Sequence, residues 1–566
     1  MQLSRLRIGI VRVAETTTKL LSFETDHIKR TVFSRSGLRP SSTMGSVPQS
    51  SEAPPPLGPF SVSSVAIIGA GPCGLACAKY LLAQKTFKTV TIFERSADVG
   101  GVWNYSTAPP TDWTTDTGKR KRKVFFFFPV KEVQRDENGK PLFPSPMYDQ
   151  LHTNIPASLM QFSDLPLTTP EDRRVFPSRQ RVQAYLHDYA AELRGLIRFS
   201  TAVLDVRPDD ASTRTPRWHV RSRDLLASGA DAGEKAEIFD AVVVASGHYN
   251  EPNVPAVAGL REFVDAHPGV VRHSKQYRTP EPHRGHKVLV VGNSASGLDI
   301  ASQIHPVCAP PLYLSVQSPT PTEVRQQGEE AGFKFEELST IAEFLVAERG
   351  VRLRDGTVIT DLDTVMFCTG YLFAYPFLQC FRDTADGQET SLAHARGQPL
   401  VTDGRKVHGL YKHMIDMRYP TLAFSGLPIK VIPFPVAESQ GAVLARLWDN
   451  EMGLPPLANM EQWERDEAAS RVKKNKAETE TEVAPYHVFP AGGDGTYINA
   501  LHDLVMQSPS ATSGKGKEPP RWGDEEFWVR SIYAEARMAF VKTGRKATSL
   551  EELGFTYQPL GEEKKN

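Results

Sequence analysis

Two stretches of the chain repeat one pattern: apolar β-forming residues run into a glycine-rich turn, and small and apolar residues suited to a helix follow. The first is Val65-Ala-Ile-Ile-Gly69-Ala70-Gly71-Pro-Cys-Gly74, continued by Leu75-Ala-Cys-Ala-Lys-Tyr-Leu-Leu82. The second is Lys287-Val-Leu-Val-Val-Gly292-Asn-Ser294-Ala-Ser296-Gly297, continued by Leu298-Asp299-Ile-Ala-Ser302. In each case the turn closes a predicted strand and opens a predicted helix. Further strands are predicted over Thr89–Phe93 and Pro311–Val316, and two apolar runs, Phe239–Gly247 and Leu362–Tyr371, contain Ser-Gly and Thr-Gly at their ends. The pattern predicts an α/β chain with two Rossmann-like dinucleotide-binding domains in three layers. Residues 1–60 are read as a leader, 61–250 as the first part of one domain, 251–365 as a second domain inserted in it, and 366–566 as the return to the first domain with a C-terminal extension.

The turns carry the candidate chemistry. In the first, Gly69 permits the tight turn, Gly71 lets backbone approach a pyrophosphate, and Gly74 lets helix and strand pack closely; Ala70 lies between them. The helix start presents unpaired N–H groups and a positive dipole end to phosphate. Glu94, twenty residues beyond Gly74, is placed to accept hydrogen bonds from a ribose 2′-hydroxyl. At the second turn Gly292, Ser294, Ser296, Gly297 and Asp299 are the candidates; Ser294 stands where a middle glycine is usual and adds a hydroxyl donor. The next strand ends in Gln317 and Ser318 rather than an acid, so a 2′-phosphate is not repelled and NADP is preferred over NAD, although no arginine sits there to bind it. Two such turns imply two dinucleotides side by side, one passing electrons to the other.

Composition narrows the partners. The 566 residues hold 66 Lys+Arg and 66 Asp+Glu, a balance that points away from nucleic acid. The five cysteines (73, 77, 308, 368 and 380) form no CxxC pair and no metal-ligand spacing, and no run of eighteen apolar residues predicts a transmembrane anchor. A cytoplasmic location is expected. The alternative is mitochondrial, because residues 1–44 carry eight Lys/Arg against three acids. The basic and aromatic stretch Lys119–Phe128 is expected to be a β-run entered from a solvated loop, while residues 464–482 and 507–520 read as exposed helix and loop without chemistry.

Over Val65 to Gln440 the chain resembles the flavin-containing monooxygenases of N- and S-oxygenation, within the class B flavoprotein monooxygenases, in a fungal-type form. The resemblance rests on GAGPCGLACAKYL, FERSADVGGVW, Tyr148 with Thr153-Asn154-Ile-Pro156, FDAVVVASGHYNEPNVP, VLVVGNSASGLDIA, LDTVMFCTGY, LYKHMIDMRYPTLAFSGLP and FPVAESQ, in the family's order. The family's identifying motif is present as His267-Pro-Gly269…His273…Tyr277-Arg278, with His267 in place of phenylalanine. That aromatic is expected at the domain junction.

The resemblance implies FAD and NADP(H) as cofactors, and O2 with a small nucleophilic molecule (an amine, thiol or sulfide) as substrates, oxygenated through a flavin C(4a) hydroperoxide. It implies Val102 and Trp103 on the flavin side, Thr153 and Asn154 beside the cofactors, and Glu438 and Gln440 near the flavin ring or its pyrophosphate. Asn154 is the catalytic candidate, since a neutral amide donates a hydrogen bond without releasing a proton; the alternative is an Asx-turn residue before Pro156. His248, His273 and His413 read as structural. Tyr277 argues against the Baeyer–Villiger alternative, oxygenation of ketones, and an uncoupled flavin-binding protein is the third reading. A homo-oligomer is compatible with the sequence.

Overall fold

The computed structural model describes residues 59–559 apart from 111–132, 228–232, 331, 382–391, 393–397, 475–480, 484, 510 and 512–513. The expectations for the leader and for the Lys119–Phe128 stretch lie outside the described residues.

The first stretch of chain forms β1 (Ser64–Ile68), α1 (Pro72–Gln84), β2 (Thr89–Phe93), β3 (Ile197–Arg198) and β4 (Ala241–Val244). A second forms β5 (Val271–His273), β6 (Lys287–Val291), α2 (Ala295–Ile304), β7 (Ala309–Ser315), α3 (Thr322–Glu330), β8 (Glu336–Leu338) and β9 (Thr364–Phe367). The third forms β10 (Leu410–Tyr411), β11 (Ile415–Asp416), β12 (Leu422–Phe424) and the helices α4 (Pro433–Trp448), α5 (Leu457–Ser470), α6 (Gly493–Val505) and α7 (Asp524–Lys542).

These strands make two main sheets, and the chain is α/β. The first has the order β10-β11-β12-β4-β1-β2-β3, and the second β8-β7-β6-β9-β5. β1 runs parallel to both β2 and β4, β12 is parallel to β4, and the second sheet is parallel throughout. Residues 410–424 thus return to the first sheet after the chain has completed the second.

The uninterrupted apolar runs are explained by cover on both faces of the sheet. In β1, Val65 and Ile67 join one core cluster, packed with α1 and α4, while Ala66 and Ile68 join another. β4 divides in the same way, with Ala241 and Val243 on one side and Val242 and Val244 on the other. The second face is covered by an antiparallel sheet of residues 201–208, 218–224 and 234–239, whose Trp218 is fully buried and donates its indole N–H to Thr421 Oγ1 (3.0 Å).

That sheet corrects one expectation. The apolar run from Phe239 to Gly247 is not a single strand: Phe239 ends a strand of the covering sheet, and the chain turns at Asp240 before β4 begins. The Asp240 carboxylate accepts the backbone N–H groups of Ser63 (2.9 Å) and Ser64 (2.8 Å), fastening the turn to the start of β1.

Residues 464–482 and 507–520 are likewise more than exposed helix and loop. Glu464 pairs with Lys406 (2.7 Å), Glu467 pairs with Arg471, and Lys515 and Lys517 reach Asp449 (2.5 Å) and Glu438 (2.8 Å). Glu464, Lys515 and Lys517 find partners distant in sequence, so local composition could not reveal their anchoring. The pair Val472–Lys474 and Thr481–Val483 also forms an antiparallel ladder.

Burial disfavours the charged form of three of the buried histidines. His248, His273 and His283 are 7%, 0% and 3% exposed, and burial holds each at a pKa of about 4, below the ordinary 6.5. Between those two values the unfolded chain binds more protons than the folded one. Their contribution to stability is therefore complete above pH 6.5, falls as the pH drops towards 4, and is constant below that. Urea unfolding measured from pH 7 to 4 should show a decline on the order of 2–3 kcal/mol per histidine. A free energy that stays flat from pH 6.5 to 5 contradicts this account.

Candidate cofactor and active site

The two glycine turns are copies of one geometry. Gly69 N–H donates to the carbonyl of Phe93 (2.8 Å), joining the ends of β1 and β2; Gly292 N–H donates to the carbonyl of Ser315 (2.8 Å), joining the ends of β6 and β7. A Cβ on Gly74 would stand 1.9 Å from the Gly69 carbonyl oxygen, and one on Gly297 would stand 1.9 Å from that of Gly292. Helix and turn are in backbone contact at both sites, so only glycine fits.

Neither helix start is capped by a side chain. Among the described residues no protein acceptor meets the amides of Gly71, Cys73 and Gly74, or those of Ala295, Ser296 and Gly297. Orphan amides at a helix start suit phosphate. Ser294 and Ser296 are exposed at the second.

The turns differ in what covers them. Gly100 N–H donates to the carbonyl of Ala70 (3.0 Å), and a Cβ on Gly101 would lie 3.0 Å from the Gly71 Cα. The Gly100–Trp103 segment therefore closes over the first turn, with Trp103 in the core and Val102 half-buried. Ser294 is exposed, so a side chain is tolerated there. Glu94 is buried: its Oε2 accepts Ala70 N–H (2.7 Å) and its Oε1 accepts Ser96 N–H (2.8 Å). The carboxylate braces the turn and keeps lone pairs for a further donor.

Asn154 lies on a loop pinned at several points. Thr153 N–H donates to the carbonyl of Pro177 (2.9 Å), Thr153 Oγ1 donates to the carbonyl of Ile155 (2.8 Å), and Ala157 N–H donates to the carbonyl of Val175 (2.8 Å). Thr153 thus satisfies the local turn. The Asn154 side chain is exposed and makes no hydrogen bond among the described residues, so no Asx-turn is formed. Upstream, Tyr148 O–H donates to Asp299 Oδ2, which also accepts Gln303 Nε2 (2.9 Å). Burial and the Asp299 charge push the Tyr148 hydroxyl pKa well up, so it stays a donor. Asp299 is thereby committed to fastening the Asn154 loop to α2.

Two other expected site residues are also committed. Gln440 is fully buried; its Oε1 accepts Gly426 N–H (2.9 Å) and Ser425 O–H (3.2 Å), and its Nε2 donates to Tyr497 O–H (3.1 Å). The Gly426 it holds packs on Cys73 at the start of α1. Glu438, expected near the flavin ring or its pyrophosphate, is fully buried, pairs with Lys517 (2.8 Å) and accepts Ser163 N–H (2.9 Å) and O–H (2.7 Å). Neighbours in sequence on α4 face different partners because a helix turns about 100° per residue.

The His267–Arg278 motif serves as scaffold. His267 is inside the second unit, not at the junction: its Nε2 lies 2.8 Å from the carbonyl of Val346, and its ring packs on Phe263. Arg278 forms the junction instead, donating to the carbonyls of Ser106 (2.9 Å), Ala108 (3.3 Å), Ser145 (3.2 Å) and Met147 (3.3 Å). Tyr277 is buried against Tyr148 and donates to Gln303 Oε1 (3.2 Å). His273 Nε2 lies 3.1 Å from the carbonyl of Gly370. His413 is enclosed by Trp463, Tyr486, His487, Phe489 and Tyr497.

The sequence missed Arg325. It lies in the first turn of α3 with Nη2 3.4 Å from Glu337 Oε2, and that carboxylate accepts Thr320 N–H (3.0 Å). The arginine therefore borders the turn that follows β7. Its signal was a cation eight residues past Gln317, legible only once the helix start is known.

A family model described as flavin-binding monooxygenase-like matches residues 134–336, and one for an NAD(P)-binding Rossmann-like domain matches residues 67–120. The chain is 33% identical over 413 residues to an Arabidopsis thaliana flavin-containing monooxygenase of the GS-OX-like group, covering 71% of this chain and 77% of that one. It is 29% identical over 498 residues to the thiol-specific monooxygenase of Saccharomyces cerevisiae, covering 86% and 95%. Among solved structures it resembles the S-allyl-L-cysteine S-oxygenase of Allium sativum, with a TM-score of 0.64, 25% identity and coverage of 87% and 96%.

Gly74→Ala and Gly297→Ala should each destabilise their unit by on the order of 3 kcal/mol, because the added methyl meets backbone that cannot yield. Gly74→Ala should come out of purification largely without flavin. Gly297→Ala should stay yellow and bind NADP weakly in titration. Normal flavin content in Gly74→Ala contradicts the assignment of the first turn.

Proposed function

The chain belongs to the flavin-containing monooxygenases, and from that premise we propose that it transfers one atom of O2 to a soft nucleophile at the expense of NADPH, with sulfur of a thiol or sulfide favoured over amine nitrogen. Sulfur is favoured because two similar proteins that cover most of the chain are named for sulfur substrates, a thiol-specific monooxygenase and an S-allyl-L-cysteine S-oxygenase. The observation that carries the proposal is the pairing of two bare helix starts with an uncommitted amide, Asn154, on a loop bonded to the second of those helices.

FAD bound at the first turn supplies redox chemistry and O2 activation, and NADPH bound at the second supplies hydride. The protein's part is binding, orientation and hydrogen bonding. Gly71, Cys73 and Gly74 present amides to the FAD phosphates, with Glu94 placed for the ribose. Ala295, Ser296 and Gly297 present amides to the NADPH phosphates, with Ser294 and Ser296 adding hydroxyls. Arg325 neutralises the 2′-phosphate. Asn154 holds a hydrogen bond at its amide N–H beside the reacting centre without giving up a proton. The soft nucleophile needs no general base.

The test is to supply NADPH under air with a sulfide, a tertiary amine and a ketone in parallel, and to identify the products. Sulfoxide is expected from the sulfide. A lactone or ester from the ketone with no sulfoxide overturns the proposal. Asn154→Ala should keep its flavin, lose about 100-fold or more in sulfoxide formation and release hydrogen peroxide in its place. Full product yield from that variant removes Asn154 from the reaction. Arg325→Ala should raise the KM for NADPH about tenfold and leave that for NADH nearly unchanged.

A further inference from the structure

The loop that carries Asn154 has a rim that the two nucleotide turns do not explain. The C-terminal segment builds it, outside both matched family regions. Ala536, Phe540 and Ala547 pack with Val175 and Phe176, and Val175 N–H donates to the carbonyl of Ala547 (3.1 Å). Phe540 lies 6.0 Å from His152, two residues before Asn154.

This packing delivers two arginines to one place. Arg545 Nη1 donates to the carbonyl of Gln150 (3.0 Å) and lies 3.5 Å from His152 Nδ1. Arg537, on α7, points to α2, with Nη2 3.9 Å from Asp299 Oδ1. Neighbouring cations are neutralised: Arg174 pairs with Asp172 (2.5 Å) and Arg179 with Asp149 (3.0 Å). Arg537 is only partly so: its Nη2 faces Asp299 Oδ1 as an ion pair at 3.9 Å, beyond hydrogen-bond reach, while Tyr148 and Gln303 bond Oδ2 of the same carboxylate. Among the described residues no carboxylate pairs with Arg545.

Arg537 Nη1 is buried with no acceptor among the described residues, on a side chain only 12% exposed. A buried guanidinium N–H is expensive to leave unpaired, and a guanidinium is shaped to hold a carboxylate or phosphate through two parallel hydrogen bonds. The local field agrees: His152 is held neutral, at a pKa of about 4, by burial and then by Arg545, Arg537 and Arg174.

We infer that Arg537 and Arg545 form an oxyanion-binding site on the rim of the Asn154 loop, and that its ligand is the carboxylate of an acidic thiol or sulfide substrate. The inference rests on the oxygenase reading above and narrows its substrate class. A phosphate of NADPH has the same chemistry, so the experiment must separate the two sources.

The wild-type holoenzyme is given three sulfides of equal length: 3-(methylthio)propionate, its primary amide and the corresponding trimethylammonium compound. The carboxylate should show a kcat/KM at least tenfold above the amide, with the ammonium compound the poorest. Arg537→Gln and Arg545→Gln should each cut the carboxylate-to-amide ratio at least tenfold, and Arg537→Lys should retain most of it. Calorimetric binding of 3-(methylthio)propionate to the NADP-loaded protein, wild type against Arg537→Gln, gives the same comparison without turnover. If the glutamine variant does not fold, the lysine variant and the three wild-type ratios still decide. A wild type that treats the three alike, or a ratio and binding unmoved in Arg537→Gln, overturns the site. A tenfold loss of NADP affinity with an unmoved substrate ratio assigns the oxyanion to the cofactor and overturns the substrate class. Failure of all three sulfides to be oxidised, with carboxylate binding intact, counts against the oxygenase reading and leaves this site supported.

Discussion

Backbone contact between a helix and the turn before it is the constraint on which this protein depends. Where Gly74 meets the Gly69 carbonyl, and Gly297 that of Gly292, no side chain can intervene. The helix is therefore seated directly above the end of its strand, and among the described residues nothing accepts its first amides. The proposed chemistry follows from that pair of contacts: two helix starts suited to phosphate, each at the carboxyl end of a parallel strand, where α/β folds bind their ligands.

The second requirement is that the two sites be held in register. The junction is made of ordinary polar contacts used many times over. Arg278 donates to four carbonyls of the segments around residues 106 and 145, and Tyr148 and Tyr277 pack edge to face while bonding Asp299 and Gln303 of α2. A guanidinium has five donors in a fixed fork and cannot lose its charge, so it fastens backbone segments that have no regular structure of their own. The motif residues that mark the family by sequence are, in this chain, chiefly parts of that joint.

The third part is the C-terminal segment. It packs on Val175 and Phe176, closes one side of the Asn154 loop and brings Arg537 and Arg545 to it. On the proposed function, cofactor chemistry belongs to the two nucleotide units and selection among soft nucleophiles to this added wall. If the reaction needs no acid–base pair, recognition is left to the groups around the nucleophile.

The strands β1, β2, β4, β6 and β9, the glycine turns and their cofactor class were legible in the chain itself. Each is a local matter: an apolar run, a backbone that only glycine fits, a helix start with amides to spare. Asn154 could be named as a candidate, but that its amide is free, with Thr153 supplying the turn, required the fold. Gln440, Glu438 and Asp299 look like site residues by position, yet their side chains are spent on Gly426, Lys517 and Tyr148. Arg325, Arg537 and Arg545 gave no usable signal, since a cation reads alike in sequence whether it meets water, a carboxylate or a cofactor. Backbone sterics act between neighbours and are written in order along the chain; charge pairing and burial act across tens or hundreds of residues, and only the tertiary structure decides them.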